Sequence, residues 1–139
     1  MNYFILTDNS ELDFDRIHHY IKNQSYWGME RTVKQTRTTI ENCLCFGMYS
    51  ETHEQLGFAR IVTDYVFFGY IIDLINFDKY QGKGLGGKLI SFMMNHEVVK
   101  RLHTIGLKTK DANSLYGKYW FKKIGDSPLW MANDKQKLL

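Results

Sequence analysis

The chain has 139 residues, of which 44% are hydrophobic, 15% are aromatic and one, Pro128, is a proline. This length and composition predict one folded domain spanning residues 1–139, and they exclude a disordered or low-complexity protein. The net charge of +3 hides an asymmetry: residues 1–78 hold 6 Lys and Arg against 11 Asp and Glu, whereas residues 79–139 hold 12 against 4. The basic half would suit a ligand with several phosphates, although a chance partition of surface charge gives the same pattern.

Helical spacing of apolar residues and short β-rich runs predict alternating helices and strands. In chain order they are a strand at 2–7, a helix through Phe14 to Ile21, a helix through Met29 to Ile40, strands at 43–50, 56–63 and 66–77, a helix through Leu85 to Met93, a strand at 103–109, a helix at 112–122 and a strand at 128–132. The strand at 66–77 is largely apolar on both faces, which predicts a central strand covered on each side.

The hydropathy, the N-terminal residues and the two cysteines indicate in which cellular compartment the protein is expected. No apolar run reaches the length of about 18 residues that a membrane span needs. The first 13 residues lack a basic region and a small-residue cleavage site, so we expect no signal peptide. Cys43 and Cys45 lie two apart on one predicted strand, where parallel side chains are poorly placed for a disulfide. These features predict a reduced, cytoplasmic protein with no membrane partner.

The segment KYQGKGLGGKLI, which starts at Lys79, places four glycines between an apolar strand and an apolar helix. Such a helix N-terminus is an anion site, because its first amides are unpaired and the helix dipole is positive there. A dinucleotide motif, GxGxxG, would need an acidic residue about 20 positions later, which is missing. A GxxxxGK motif would need Ser or Thr where Leu89 stands. A Gln-x-x-Gly-x-Gly pattern is complete, with Gln81, Gly84 and Gly86 at its three fixed positions. The alternative is that the glycines only form a tight turn between the strand and the helix.

QGKGLG after a long strand resembles the pyrophosphate loop of the GNAT superfamily of N-acetyltransferases, whose pattern is Gln/Arg-x-x-Gly-x-Gly/Ala. A second segment, DANSLYGKYWFKKIGD, resembles the family's helix in which a tyrosine is followed by Glu-Lys-x-Gly-Phe, and Tyr116, Lys118 and Phe121 match it. Its departures from that pattern are Gly117 and Trp120. The order of elements matches as well. The resemblance implies an α/β (α+β) fold with a central mixed, mostly antiparallel sheet flanked by helices, and the activity of an acyl-CoA N-acetyltransferase.

The resemblance also implies acetyl-CoA as the co-substrate. The amides from Lys83 to Gly87 would hold its pyrophosphate, and the lysines on either side would add positive charge. The pantetheine arm would pair with the end of the central strand. The implied cofactor-binding residues are Leu74, Ile75, Asn76, Gln81, Gly82, Lys83, Gly84, Leu85, Gly86, Gly87 and Lys88.

Two residues are candidates for catalysis. By resemblance, Tyr116 protonates the departing thiolate, a role that suits a hydroxyl with an ordinary pKa near ~10, and a core tyrosine is the alternative. Asp73 is the one carboxylate within the apolar central strand, so it could take the amine's proton or bind a cationic substrate. The alternative for Asp73 is a buried ion pair with Arg60. No nucleophile stands out, which favours direct attack by the amine.

Other functions find less support in the sequence. The five histidines form no metal-binding spacing, so we expect no metal. The basic residues are not interleaved with aromatic residues in a known motif, so we expect no nucleic acid. The predicted partner is a primary amine on a small molecule or peptide, and a homodimer is left open. A non-catalytic acyl-CoA-binding sensor is the rival from another functional class.

Overall fold

The structure of the protein is a computed structural model that describes residues 2–110, 112–125 and 127–135. Contacts divide the chain into two compact units, Met1–Leu107 and Lys108–Leu139, and each is described by itself. The prediction of one domain over residues 1–139 stays a prediction.

The first unit contains the sheet, and its elements follow the predicted order. They are β1 (Tyr3–Leu6), α1 (Phe14–Gln24), α2 (Val33–Glu41), β2 (Leu44–Ser50), β3 (Gln55–Thr63), β4 (Phe68–Asn76), α3 (Leu85–Asn95), α4 (Glu97–Arg101) and β5 (Thr104–Leu107). Short 3-10 turns at Asn9–Glu11 and Asp78–Tyr80 complete the unit. The second unit contains α5 (Asn113–Gly117).

The five strands form one sheet in the order β1-β2-β3-β4-β5. Neighbouring strands are antiparallel except for β4 and β5, which are parallel. The predicted mixed, mostly antiparallel sheet flanked by helices is therefore confirmed. Phe46, Phe58 and Ile61 in the sheet and Leu89 and Met93 on α3 are buried and form part of the core.

Local sequence explains where the first two helices begin. The Asp13 side chain accepts the amide of Arg16 and caps α1. Thr32 and Gln35 form a reciprocal capping box at the start of α2. The second predicted helix reached back to Met29, but α2 begins only after this cap, and Met29 is exposed.

The central strand is interrupted by a β-bulge. Phe58 pairs with Ile75 whereas Arg60 pairs with Ile72, so one residue of β3 faces two residues of β4. Asp73, at the bulge, has φ = 59°, in the left-handed region. The ladder between β4 and β5 ends at the pair of Ile71 and Leu107. In the described part of the chain, residues 72–76 of β4 therefore pair with β3 alone.

The second unit differs from the sequence prediction. The helix predicted at 112–122 ends at Gly117, because glycine is a poor helix former. The hydrogen bonds that follow join residues three apart, as in a 3-10 turn; one runs from the Trp120 N–H to the Gly117 carbonyl. Trp120 has φ = 75°, which a helix does not allow. The strand predicted at 128–132 is also wrong for the described residues 127–135, which are turn or irregular structure. Pro128 has no amide to donate to a ladder.

Two further boundaries differ. The helix α4 was not predicted, and it starts where the His96 side chain accepts the amide of Val98. The central strand was predicted from residue 66 but begins at Phe68. Asp64 Oδ1 accepts the amides of Val66, Phe67 and Phe68, so Val66 and Phe67 belong to a turn that ends where β4 begins.

Candidate active site

The glycine loop, residues 81–87, connects the end of β4 to α3 through a left-handed backbone. Gly82 has φ = 81° and Gly84 has φ = 73°, conformations that glycine adopts without strain. Gly84 is the N-cap of α3 and makes no side-chain capping bond. Gln81 Nε2 donates to the Asn76 carbonyl at 3.0 Å, which ties the loop to the strand it follows.

The space beside the glycine loop is open. A Cβ added to Gly82, Gly84 or Gly86 would meet no atom within 4 Å in the described structure. The glycines are therefore not needed to pack the loop against its own protein. The first turn of α3 also carries no acidic residue, so nothing there opposes an anion at the amides.

The remaining loop residues divide by exposure. The Leu85 side chain is buried in the core, so only its backbone can face a ligand. Lys83 and Lys88 are exposed. The Lys83 ammonium lies 5.9 Å from the Tyr80 ring centre, and the Lys88 ammonium lies 5.4 Å from that of Tyr3.

The end of β4 presents backbone groups away from β3. Phe77 N–H donates to the Leu56 carbonyl at 3.2 Å, so these two residues form a hydrogen-bonded pair. Because such pairs alternate along an antiparallel ladder, the N–H and C=O of Asn76 point away from β3. Of the three predicted residues here, Ile75 is buried, and the buried Asn76 Oδ1 has no hydrogen-bond partner in the described structure.

Asp73 lies at the centre of a buried polar cluster formed with Trp27, Arg31 and Arg60, which we call the Asp73 cluster. Its Oδ2 accepts from Arg60 Nε at 2.7 Å and from Arg31 Nη1 at 2.5 Å. Its Oδ1 accepts from Trp27 Nε1 at 2.6 Å. Arg60 Nη1 also donates to Cys43 Sγ at 3.3 Å. The predicted ion pair between Asp73 and Arg60 is therefore present.

These contacts hold the Asp73 carboxylate in its charged form. Burial raises the pKa of Asp73, but the charge of Arg60 and the hydrogen bond and charge of Arg31 outweigh burial, so the pKa lies below its ordinary value. A carboxylate that already accepts three hydrogen bonds and has a lowered pKa is a weak proton acceptor. The role of Asp73 as general base stays a prediction, and these contacts argue against it.

A tight turn between α1 and α2 brings Trp27 and Arg31 to Asp73. Ser25 Oγ donates to the Ile21 carbonyl at 2.6 Å and accepts the Gly28 amide at 3.0 Å. The Gly28 carbonyl then accepts the Arg31 amide at 3.0 Å. The turn is packed closely, because a Cβ at Gly28 would lie 2.3 Å from Ile21 Cγ2.

Sequence reasoning identified neither Arg31 nor Trp27 as a partner of Asp73. A usable signal was present: a carboxylate in an apolar central strand needs charged or hydrogen-bonding partners. What the sequence did not show is which of the arginines would reach it.

In the second unit, Tyr116 lies on α5 with its side chain buried. Its ring meets that of Phe121 edge-on, with centroids 5.8 Å apart. Asp111 and Asp126, the ends of the segment that carries the family resemblance, lie outside the described residues. The catalytic role of Tyr116 stays a prediction.

The described residues also limit other kinds of site. They contain no group of three or more His, Cys, Asp or Glu side chains placed to hold a metal ion. None of the helices described is long and apolar enough to cross a membrane.

Comparison with known proteins adds to this geometry. Residues 10–122 match the model of the Acetyltransferase (GNAT) family. A curated protein of Gibberella zeae, provisionally named an acetyltransferase, is 25% identical over an alignment that covers 84% of this chain and 77% of that protein.

Two solved structures illustrate the structural similarity. A provisionally assigned GNAT-family acetyltransferase from Xanthomonas campestris pv. campestris is 28% identical, with a TM-score of 0.90 over 96% of this chain and 94% of its own. A predicted acetyltransferase of Clostridium acetobutylicum, whose structure was solved with acetyl-CoA, is 17% identical and has a TM-score of 0.66. The match covers 96% of this chain and 95% of that chain. The latter likeness concerns the fold alone.

The family match spans most of the chain and includes both the bulged strand β4 and the glycine loop that follows it. The protein therefore belongs to the GNAT family of acetyltransferases.

Proposed function

We propose that this acetyltransferase moves an acetyl group from acetyl-CoA to a primary amine of a small molecule or peptide, by direct attack of the amine. The observation that carries the proposal is the open glycine loop at the N-terminus of α3, which follows a strand whose last five residues pair on one side only within the described part of the chain. An acetyl transfer to oxygen would use the same cofactor site, so the nature of the acceptor must be tested by experiment.

The residues of the loop fit coenzyme A. The amides from Lys83 to Gly87 would bind the pyrophosphate, since Gly84 and Gly86 leave open space where a Cβ would stand. The two exposed lysines, Lys83 and Lys88, would add charge toward phosphate groups. The acetyl-CoA in the Clostridium acetobutylicum structure supports the choice of co-substrate.

The strand end fits the pantetheine arm. The outward N–H of Asn76 offers a donor to an extended chain of amides, whereas the Asn76 carbonyl already accepts from Gln81 Nε2. In this proposal, the amide of Leu74, just after the bulge, polarises the carbonyl of the thioester. Acetyl-CoA supplies the acetyl group as that thioester.

The proton for the departing thiolate is assigned to Tyr116 on the strength of the family resemblance of its segment. Direct attack is proposed because no nucleophile stands out among the residues assigned to the site. Burial, followed by the charge of Cys43, raises the pKa of Cys45 to about 12, which makes this thiol a poor nucleophile.

Replacement of Tyr116 by Phe tests the proposed mechanism. This variant keeps the ring that contacts Phe121 and removes the hydroxyl. We expect kcat to fall by about 10²–10⁴-fold when chemistry limits the rate, because the proton is needed only as charge develops on sulfur. KM and the melting temperature should change little. The defect should shrink with a thioester whose thiol is more acidic.

Tyr119→Phe is the matched control, because Tyr119 lies in the same unit but has no proposed role in the reaction. This variant should keep the activity of the wild type. A stable Tyr116→Phe enzyme with full activity on its acceptor would remove Tyr116 from the mechanism. Release of free thiol from acetyl-CoA across a panel of amines is the assay. Binding of acetyl-CoA without turnover of any amine would instead support the acyl-CoA sensor.

A further inference from the structure

The Asp73 cluster carries more positive than negative charge. It contains two guanidinium groups, from Arg31 and Arg60, and one carboxylate, so its formal charge is 2 − 1 = +1. The side chains of Arg60 and Asp73 retain 6% and 1% of their exposure, and that of Arg31 retains 13%. A buried positive charge without its own counter-ion is costly, so this site attracts an anion.

Neighbouring side chains do not cancel the surplus. Lys22 Nζ donates to the Met29 carbonyl at 3.2 Å and so adds a positive charge to the turn that holds Arg31. Burial, and then the charges of Lys22 and Arg31, lower the pKa of His18. The Glu30 carboxylate is exposed to solvent, where its charge is screened.

Arg31 still has an unused donor edge. Its Nη1 donates to Asp73, and within the described structure its Nε and Nη2 donate to no other group. These two nitrogens lie on one edge of the guanidinium and form the fork that matches the two oxygens of a carboxylate. The contact with Asp73 and the tight turn before Arg31 fix the direction of this fork.

Arg31 is linked to the proposed site of chemistry through Asp73. Arg31 contacts Asp73, the bulge residue directly before Leu74, whose amide is proposed to meet the thioester carbonyl. A small molecule that carries an amine and an anionic group could therefore reach both positions at once.

We propose that the acceptor is an amine that also carries a carboxylate, such as an amino acid, and that Arg31 binds this carboxylate through Nε and Nη2. This inference rests on the proposed function and names its substrate class. Asp73 and Arg60 are positioning residues here, since they orient Arg31 without contacting the acceptor. A polyamine is disfavoured, because its second ammonium would meet the positive surplus while Asp73 is already engaged by three donors.

The test compares matched acceptors in the thiol-release assay with saturating acetyl-CoA. Each amino acid is paired with its own carboxamide, which keeps the amine and the side chain but removes the charge. Aminoalkyl phosphates and polyamines complete the panel. We expect kcat/KM to be about 10- to 100-fold higher for the carboxylates, the range for a hydrogen-bonded charged group.

Variants then assign the preference to Arg31. In Arg31→Met the ratio of carboxylate to carboxamide should collapse to about one, and in Arg31→Lys, which keeps the charge and loses the fork, it should be intermediate. This ratio does not depend on how much of a variant is folded, because both acceptors see the same enzyme. Arg37→Met is the control, since Arg37 is exposed and its guanidinium lies over the Phe14 ring. It should keep the full preference.

The other outcomes overturn the inference in distinguishable ways. Equal use of carboxylates and carboxamides, or a preference for phosphates or polyamines, would refute the inference and leave the proposed function standing. A carboxylate preference that survives in Arg31→Met would refute the role of Arg31. No turnover of any amine, with coenzyme A still bound, would refute the proposed function and this inference with it.

Discussion

The Asp73 cluster lies at the bulge of β4 and the glycine loop follows the end of that strand, and the two are built in opposite ways. The loop has open space beside Gly82, Gly84 and Gly86, where an added Cβ would meet no atom of the described protein within 4 Å. The cluster consists of side chains from three separate parts of the chain, and its carboxylate accepts three hydrogen bonds. The loop therefore leaves open space beside its backbone, whereas the Asp73 carboxylate is already occupied by donors of the protein itself.

The largest expected effect is on stability, in Asp73→Asn. Asparagine is tolerated at the φ of 59° found here, so the backbone is matched while the charge is lost. Two buried guanidinium groups would then lose their counter-ion, and we expect the free energy of unfolding to fall by about 3–5 kcal/mol. Urea unfolding followed by circular dichroism measures it.

Asp15→Asn, an exposed change on α1, is the control for Asp73→Asn and should cost no more than about 1 kcal/mol. A small cost at Asp73, similar to that of the control, would show that the cluster does not hold the fold.

The second effect is on ligand affinity, in Gly86→Val. The structure makes Gly86 a cleaner test than Gly84, because Gly84 is left-handed and any replacement there would also be strained. A valine side chain at Gly86 would occupy the space proposed for phosphate oxygens. Affinity for acetyl-CoA should fall at least tenfold, about 1.4 kcal/mol, by calorimetry.

The unfolding free energy of Gly86→Val should change by no more than about 0.5 kcal/mol, since a Cβ at this position meets no atom within 4 Å in the described structure. Gly86→Ala adds a single methyl group and should lie between the wild type and the valine variant in affinity. Unchanged affinity in a folded Gly86→Val protein would contradict the assignment of the loop.

The third effect is a pH dependence that belongs to the cluster. The pKa of Asp73 is lower in the folded protein than in the unfolded chain, where it is about 3.9. Its charge therefore contributes stability above the unfolded pKa, and this contribution is lost as pH falls through the folded pKa. The stability difference between wild type and Asp73→Asn should be constant near neutral pH and shrink in acid. A difference that stays constant in acid would contradict the lowered pKa.

The smallest effect is a difference between two thiols at the rim of the cluster. Cys45 is buried, and its burial, followed by the charge of Cys43, raises the pKa of the Cys45 thiol to about 12. Cys43 is half-buried, and its sulfur accepts a hydrogen bond from Arg60. A thiol reagent added to the native protein near pH 8 should modify one cysteine quickly. Cys43→Ser should remove this fast phase and Cys45→Ser should keep it. Fast modification of Cys45 instead of Cys43 would contradict the burial of the two thiols described here.

Part of the fold could be predicted from local pattern. The caps at Asp13 and Thr32 and the buried Ile17 and Ile21 on one face of α1 are short-range features, and the corresponding helices are present. The strand predicted at 128–132 could not be tested by local pattern alone, because a β-strand forms only when a neighbouring strand pairs with it. The helix through Tyr116 was predicted too long, because turn bonds after Gly117 end it early.

The position of the glycine loop could be predicted from the sequence, because glycines between a strand and a helix allow a backbone turn without any distant contact. The sequence also shows one carboxylate, Asp73, within an apolar strand, and a buried carboxylate needs partners. The identity of these partners depends on the tertiary packing. The bulge turns Asp73 toward the turn between α1 and α2, where Trp27 and Arg31 meet it at contact distance although they lie 46 and 42 positions earlier in the chain. Nothing local to either segment specifies that meeting, because it depends on how the helices pack on the sheet.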